Sequence, residues 1–263
     1  MPKIRTVAVL SDVHGVLPAL EAVLDEPDVR AADRIVLTGD IAAGPQPAEV
    51  LDLLTGLGDR ALRIAGNADR ELVEYRRGQR DTIPDPIAPW AAEQLREDHL
   101  TLLAALPRSL TLPLDGLGEV LFCHATPRDD EETVLVDSRP DRWREVLAGV
   151  DPAVRTVVLG HTHMPYVRLA HGRLVVNPGS VGMPYGRTGA HWALLGPGVA
   201  LRTTDFDADA AVARLTGDSA YPGIAGWADA YLRTPPTDAA ALAAFGPRDG
   251  RDAPPDRETR PCH

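Results

Sequence analysis

The sequence predicts an α/β fold with two β-sheets. Residues 5–67 alternate short apolar runs with segments of helical hydrophobic spacing, a pattern typical of βαβ units and a parallel sheet. From Leu110 onward, short apolar runs are separated by glycine turns, which indicates hairpins, antiparallel strands and a second sheet. The chain has 263 residues, of which 44% are hydrophobic, so it can bury the core of one large domain or of one domain with an appendage.

The first part of the chain supplies three strands and two helices in alternation. The predicted strands are RTVAVL (5–10), DRIVLTGD (33–40) and ALRIAGN (61–67). The predicted helices are LPALEAVLD (17–25) and PAEVLDLLTGLG (47–58). A polar, proline-rich stretch at 76–89 indicates a surface loop, and residues 90–107 have the spacing of one amphipathic helix.

The rest of the chain is predicted to form short strands followed by helices. The strands are LTLPL (110–114), EVLFCHA (119–125), TVVLGHTHM (156–164), YVRLA (166–170), LVVNPGS (174–180), HWALL (191–195) and VALRTTDF (199–206). The alanine-rich stretch that follows predicts helices, and the charged, proline-rich end predicts disorder. We therefore predict a main domain at 1–205, a helical extension packed on it at 206–246, and a disordered tail at 247–263.

Charge and hydropathy argue against several functional classes. The net charge of −11 disfavours an extended nucleic-acid interface, although a local basic pocket could hold one phosphate group. The chain has no run of about 18 apolar residues, so no membrane-spanning helix is expected. A carboxylate, Asp12, follows the N-terminal apolar stretch closely, which argues against a signal peptide. Two distant cysteines, Cys123 and Cys262, favour a reduced, cytoplasmic protein.

Polar side chains follow the predicted strands at the points where the strands end. They are Asp12, His14, Asp40, Asn67, His124, His161, His163 and Asn177. Because ligand crevices form beyond the carboxyl ends of strands in α/β sheets, we expect these side chains to converge on one edge. Carboxylate, imidazole and amide ligands together suit Mn²⁺, Fe or Zn²⁺. Asp40 could bridge two ions about 3.5–4 Å apart, and ions at this spacing can hold both the attacking and the leaving oxygen of a phosphoryl displacement. Asn177 is better explained as a residue that caps a turn.

Five short motifs carry a resemblance to a known family. They are DVH (12–14), GD (39–40), GNAD (66–69), the single residue His124, and GHTH (160–163). Their order and spacing resemble the motif series of calcineurin-like metallophosphoesterases, most of all the small bacterial and archaeal phosphodiesterases, over residues 5–205. The resemblance implies a four-layer α/β/β/α fold, in which two mixed sheets form a sandwich flanked by helices.

The resemblance also implies a site with two divalent metal ions. The first ion would be held by Asp12, His14, Asp40 and His163, and the second by Asp40, Asn67, His124 and His161. Mn²⁺ is the first expectation, with Fe, Zn and Ni as alternatives. The catalytic set implied in this way is Asp40, Asn67, Asp69 and His124.

One position departs from the pattern of many relatives. They carry a histidine directly after the motif asparagine, where this chain has Ala68. That histidine is thought to protonate or stabilise the leaving oxygen, and a general acid typically contributes about 10²–10⁴-fold. Several small phosphodiesterases also lack it and resemble this chain in having an aspartate at the place of Asp69. The candidate replacements as proton donor here are Asp69, Arg70 and His191.

Two arginines are candidate substrate-binding residues. Arg128 follows His124 in the same loop, and Arg187 follows the NPGS turn; a guanidinium can bind phosphate through two parallel hydrogen bonds. For Arg128 the alternative is an ion pair with Asp129, Asp130 or a neighbouring glutamate.

Three functions remain open at this point. The leading hypothesis is a phosphodiesterase in which metal-activated hydroxide attacks a small phosphate ester in line. The alternatives are a phosphomonoesterase, acting on a nucleotide, a small molecule or a phosphoprotein, and a non-catalytic interaction scaffold of the same fold. The sequence carries no readable code for the natural substrate, the metal or the oligomeric state.

Overall fold

The computed structural model describes residues 4–251 and contains two five-stranded sheets. In chain order the strands are β1 (Val7–Leu10), β2 (Arg34–Leu37), β3 (Ala61–Arg63), β4 (Ser109–Leu114), β5 (Gly118–Cys123), β6 (Val154–Val158), β7 (Tyr166–Ala170), β8 (Arg173–Asn177), β9 (Ala190–Leu195) and β10 (Val199–Thr204). The helices are α1 (Leu17–Asp25), α2 (Pro27–Ala31), α3 (Pro47–Gly56), α4 (Asn67–Arg76), α5 (Ala88–Gln94), α6 (Glu97–Ala104), α7 (Pro140–Val146), α8 (Ala208–Asp218), α9 (Ile224–Ala228) and α10 (Asp238–Phe245).

The first sheet has the strand order β10-β9-β1-β2-β3. Strands β1, β2 and β3 are parallel, which confirms the prediction from their alternation with helices. The hairpin of β9 and β10 was expected in the second sheet, and that expectation is wrong. Instead β9 pairs antiparallel with β1, because the chain returns to the open edge of the first sheet and covers it.

The second sheet has the strand order β4-β5-β6-β8-β7. Its hairpins, β4–β5 and β7–β8, are antiparallel as predicted, but β5, β6 and β8 are parallel to one another. The long connection from β5 to β6 contains α7, a helix that the sequence analysis did not predict, and it allows the crossover that parallel pairing needs. Both sheets are therefore mixed, as the resemblance implied.

The core is arranged in layers between and outside the sheets. Val9 of β1 and Phe122 of β5 belong to the apolar cluster between the two sheets. Because side chains alternate along a strand, Leu10 faces the other way and packs with Leu20 of α1 in the outer cluster. Trp143 of α7 is buried in the cluster on the outer face of the second sheet. This layering confirms the predicted α/β/β/α fold.

The predicted helix at 90–107 is interrupted, and this is a second correction. Leu95 and Arg96 have extended backbone angles that separate α5 from α6. The guanidinium of Arg76 donates hydrogen bonds to the carbonyl oxygens of Ala92 (2.6 Å) and Leu95 (2.9 Å) at the end of α5. A cation that satisfies these carbonyls stabilises a helix end there.

The C-terminal part of the described chain is helical, as its alanine content predicted. Helix α8 packs against α1 through Val212 and Leu215, within the outer cluster of the first sheet. Residues 246–248 form a single 3₁₀ turn after α10, and residues 252–263 of the predicted disordered tail lie outside the described residues. The division of the chain at 205 stays a prediction. Within residues 4–251, no helix is both long and apolar enough to cross a membrane.

Candidate metal centre

The carboxyl ends of strands from both sheets meet at one edge of the sandwich. In the first sheet, β1, β2 and β3 end in register, so that Asp12, Asp40 and Asn67 follow at the same edge. In the second sheet, β5 ends directly before His124, and β6 leads into the GHTH run. The backbone N–H of His161 donates to Asp12 Oδ2 at 3.1 Å and joins the two edges.

The seven predicted ligands come together there. Asp12, His14 and His163 form one group of potential metal-binding side chains, and Asp40, His124 and His161 form a second. Within each group the ligand atoms lie within 4.8 Å of one another. Asn67 extends the second group, because its amide oxygen lies 3.1 Å from His124 Nε2.

Three of the histidines are held in one orientation by backbone carbonyls. The Nδ1 atoms of His14, His124 and His163 lie 3.1, 2.7 and 2.7 Å from the carbonyl oxygens of Ala43, Thr38 and Met183. A carbonyl only accepts, so each Nδ1 carries the hydrogen and donates it. In the neutral ring, Nε2 then presents a lone pair toward the carboxylates. Histidines that bind metals in proteins are usually oriented in this way.

The atoms that converge on the site are nearly all electron-pair donors. His14 Nε2 lies 3.2 Å from His163 Nε2. Asp12 Oδ1 is buried and, within residues 4–251, accepts no hydrogen bond. The side-chain amide of Asn67 lies about 3.1 Å from nitrogens of both His124 and His161. Buried lone pairs that face one another are costly unless a cation lies between them, so the residues present fit divalent metal ions.

Electrostatic coupling within the second group is strong. Burial alone would lower the pKa of His124, but the neighbouring carboxylate of Asp40 outweighs it and raises the pKa to about 10. Burial likewise opposes ionisation of Asp40, whereas His124 and His14 hold the pKa of Asp40 well below its usual range. For His161, burial and the charge of His124 lower the pKa to about 4. The group therefore favours an ionised Asp40 carboxylate beside a positively charged His124, a position that a cation could take.

Backbone strain is concentrated at the ligands. Among residues 4–251, the non-glycine residues with positive φ are Asp12, His14, Asp40, His161, His163 and His171. All but His171 are predicted metal ligands. Residues with side chains rarely adopt this conformation, and where they do, the surrounding structure must hold them in place. The strained backbone at these five residues therefore orients their side chains toward the candidate metal centre.

The glycines of the motifs are required by close packing. A Cβ atom at Gly66 would lie 2.1 Å from Asp40 Oδ1, and one at Gly160 would lie 2.1 Å from the hydroxyl of Ser11. At Gly39, where φ is +96°, a Cβ atom would lie 2.7 Å from His124 Nδ1. Each of these three motifs therefore pairs a ligand with a glycine that lets the neighbouring loop approach.

Asp69 is buried behind the site and does not line the cleft. Its carboxylate accepts hydrogen bonds from the backbone N–H groups of Ile41 (2.9 Å), Ala42 (3.3 Å) and Gly66 (3.1 Å). Burial and the nearby charge of Asp40 raise the pKa of Asp69 to about 7. These contacts favour a positioning role for Asp69, in which it holds the loop after Asp40. Its assignment as a catalytic group stays a prediction.

The other two candidate proton donors also lie away from the cleft lining. The guanidinium of Arg70 pairs with Asp130 at 2.8 Å and Glu131 at 2.5 Å, and these hydrogen bonds raise its pKa, so it holds its proton firmly. His191 lines a separate cavity of about 650 Å³ together with Arg187. Burial and the charge of Arg187 lower the pKa of His191 to about 4, so the ring is neutral near pH 7.

The predicted substrate-binding arginines have other neighbours. Arg128 forms ion pairs with Glu132 (2.5 Å) and Glu145 (2.8 Å), so the acidic partner considered as its alternative is present. Arg187 is exposed and lies 4.0 Å from Asp205, in the cavity of His191. Phosphate binding by either residue stays a prediction. Asn177 caps a turn as predicted, because its side-chain oxygen accepts a hydrogen bond from Gly179 N–H at 2.9 Å.

The metal ligands open into a cleft of about 460 Å³. Four ligands line it, together with Ala43, Ala68, Glu71, Ile83, Pro84, Asp85, Ala88, Glu131 and Arg248. The predicted surface loop at 76–89 contributes four of these side chains. The sequence analysis missed Arg248, which lies in the stretch predicted to be a disordered tail. No spacing or motif in the sequence distinguishes it from the other arginines nearby.

Metal binding should be visible as stabilisation. For metal-stripped protein, we expect saturating Mn²⁺ to raise the melting temperature by about 5–10 °C, since a ligand at a hundred times its Kd contributes about 2.7 kcal/mol. Differential scanning calorimetry measures the shift. The double variant His161→Ala/His163→Ala keeps every exposed carboxylate and serves as the control. An equal shift in both proteins would place the binding elsewhere.

Comparisons with known proteins agree with this fold. Residues 6–196 match the calcineurin-like phosphoesterase superfamily domain. A metallophosphoesterase from Sphaerobacter thermophilus has a similar structure, with a TM-score of 0.68 and 25% identity over 88% of this chain and 100% of that one. One relative with a named activity is a symmetrical bis(5'-nucleosyl)-tetraphosphatase of Aliivibrio fischeri, which is 28% identical over 63% of this chain and 69% of its own length. Another is phosphodiesterase YfcE of Escherichia coli, which is 26% identical over 70% of this chain and 84% of its own length. The match to the domain covers more than half of the sequence, and the chain belongs to the calcineurin-like phosphoesterase superfamily.

Proposed function

We propose that this chain is a phosphodiesterase that uses two divalent metal ions. The observation that carries the proposal is the position of Asp40 between the two ligand groups. Its Oδ2 atom lies 3.4 Å from His124 Nε2 and 3.8 Å from His14 Nε2, so one carboxylate faces both groups. A shared carboxylate at this place is what a pair of adjacent metal ions requires.

The ligand sets expected from the sequence complete the proposal. Asp12, His14, Asp40 and His163 would hold one ion, and Asp40, Asn67, His124 and His161 the other, with Mn²⁺ as the first expectation. When bound, two such ions would lower the pKa of a water molecule and neutralise the charge that develops on phosphorus and its oxygens. The hydrogen bond from Ala68 N–H to Asp40 Oδ1 (2.8 Å) fixes the shared carboxylate in place.

The cleft favours a diester over a monoester. Apart from the ligand histidines, the lining side chains from residues 4–251 include no histidine, cysteine, tyrosine or lysine that could protonate a leaving oxygen. Reactions with a stable leaving anion are therefore favoured. The carboxylate of Asp85 lines the cleft without a cationic partner within residues 4–251, and it repels the second negative charge of a monoester or the several charges of a tetraphosphate.

The test compares the hydrolysis of bis(p-nitrophenyl) phosphate with that of p-nitrophenyl phosphate. Metal-stripped protein receives Mn²⁺, Zn²⁺, Ni²⁺ or Mg²⁺ in turn, and Asp40→Ala is the control. We expect metal-dependent turnover of the diester, a lower kcat/KM for the monoester, and no turnover by the control. Faster hydrolysis of the monoester would instead assign a phosphomonoesterase. No turnover of either ester by protein with two bound ions would contradict an enzymatic role and favour the scaffold.

A further inference from the structure

We propose that Arg248, supplied by the C-terminal helical segment, binds the phosphate of the substrate in the metal cleft. The proposal rests on the phosphoesterase function proposed above and names the residue that would hold the substrate beside the metal ligands. Arg248 lines the same cleft as His14, Asp40, Asn67 and His161. It lies beyond residues 6–196, over which the chain matches its superfamily.

Among residues 4–251, Arg248 is the one lysine or arginine that lines this cleft. Two of the acidic lining residues are already paired, Glu71 with Arg80 at 3.2 Å and Glu131 with Arg70 at 2.5 Å. Within the described part of the chain, the guanidinium of Arg248 has neither an ion pair nor a hydrogen bond. An arginine without a partner, beside carboxylates that bind other cations, has its donors available for an anion.

The backbone on both sides of Arg248 is anchored. On one side, Phe245 at the end of α10 packs edge-on against the metal-ligand candidate His161, with ring centroids 6.0 Å apart, and against Tyr185 at 6.2 Å. On the other side, Asp249 is almost fully buried and accepts a hydrogen bond from the hydroxyl of Ser138 at 2.9 Å.

The turn between these anchors is short. Gly246–Arg248 is a 3₁₀ turn, and Pro247 restricts its backbone further. Arg248 therefore extends from a fixed base and not from a free tail. A guanidinium held at a fixed base loses less freedom on binding, and this makes a preorganised phosphate contact effective.

The charge balance of the cleft gives this contact a role in selectivity. The ligand aspartates would be neutralised by metal ions, whereas Asp85 lines the cleft without a cationic partner within residues 4–251. A single guanidinium beside a carboxylate complements one negative charge better than two. Arg248 would thus favour the monoanionic diester, and its two parallel N–H groups can hold both non-bridging oxygens.

The test measures both phosphate binding and turnover in the full chain. Binding of inorganic phosphate to the Mn²⁺-loaded protein is followed by calorimetry, and steady-state kinetics are measured with bis(p-nitrophenyl) phosphate. For Arg248→Gln we expect phosphate affinity to fall roughly 10–100-fold and KM to rise by a similar factor, with Mn²⁺ content unchanged. Arg248→Lys, which keeps the charge but not the paired donors, should lie between the two.

Arg144→Gln provides the matched control, because Arg144 is exposed on α7 and does not line the cleft. We expect it to bind phosphate and turn over the diester like the wild type. Equal phosphate affinity in Arg248→Gln and the wild type would overturn the proposal, as would an equal loss in Arg144→Gln or no phosphate binding by the wild type. If the wild type binds phosphate through Arg248 but hydrolyses neither ester, the phosphate contact stands and the proposed function fails.

Discussion

Replacing Asp40 with asparagine is expected to lower kcat/KM for diester hydrolysis by at least about 10³-fold, since metal charge stabilisation contributes several kcal/mol. Asp40 Oδ2 lies between His124 and His14 of the two ligand groups, so its charge bears on both metal positions at once. Asparagine keeps the shape and can still accept the hydrogen bond from Ala68 N–H at Oδ1. The loss should therefore come from the missing charge and not from unfolding.

Metal content separates this explanation from a general defect. We expect plasma emission analysis to find two ions per chain in the wild type and one or fewer in Asp40→Asn, while the circular dichroism spectra coincide. Asp59→Asn is the matched control, because Asp59 is exposed and its carboxylate lies outside the cleft. Two bound ions and near wild-type turnover in Asp40→Asn would refute the role of Asp40 as the shared ligand.

The ligand edge could be predicted from sequence because its signals are local. Each ligand follows an apolar run at a strand end, and three of the motifs carry a glycine, as at Gly66, where a Cβ atom would lie 2.1 Å from Asp40 Oδ1. Parallel pairing of β1 with β2 and of β2 with β3 then places the loops that follow these strands at the same edge of the sheet. The positive φ values of Asp12 and Asp40 could not be predicted from the local sequence, because the assembled site imposes this backbone conformation.

The features that escaped prediction depend on contacts between distant parts of the chain. The break between α5 and α6 is stabilised by Arg76, which lies on α4. Strand β9 joins the first sheet by pairing with the open edge of β1. The hydrophobic pattern of a strand does not determine which of two sheets it joins. Arg248 reaches the cleft only because Phe245 and the buried Asp249 hold the turn in place, and each of these anchors lies far in sequence from its partner.

Introducing a histidine at position 68 is expected to change how the rate depends on the leaving group. Ala68 lines the cleft as the second residue of α4, directly after Asn67, so a side chain there can reach the site of bond cleavage. Within residues 4–251, no histidine other than the ligands lines the cleft of the wild type, so we expect its rate to fall steeply as the leaving group becomes more basic. For a phenyl diester, Ala68→His should gain about 10²-fold, the lower end of the usual contribution of a general acid. For the p-nitrophenyl diester, whose leaving group needs no proton, the gain should be small.

The measurement is log kcat for a series of aryl phosphate diesters plotted against the pKa of the leaving phenol. We expect a shallower slope for Ala68→His than for the wild type, together with a new loss of activity toward high pH as the imidazolium deprotonates. Ala68→Gln, of similar size but without an acidic proton, separates proton donation from a steric effect and should keep the wild-type slope. A wild-type slope that is already shallow would show that the chain has another proton donor. In that case the absence of a histidine after Asn67 would not restrict the chain to good leaving groups, and the proposed preference for diesters would rest on the charges of the cleft alone.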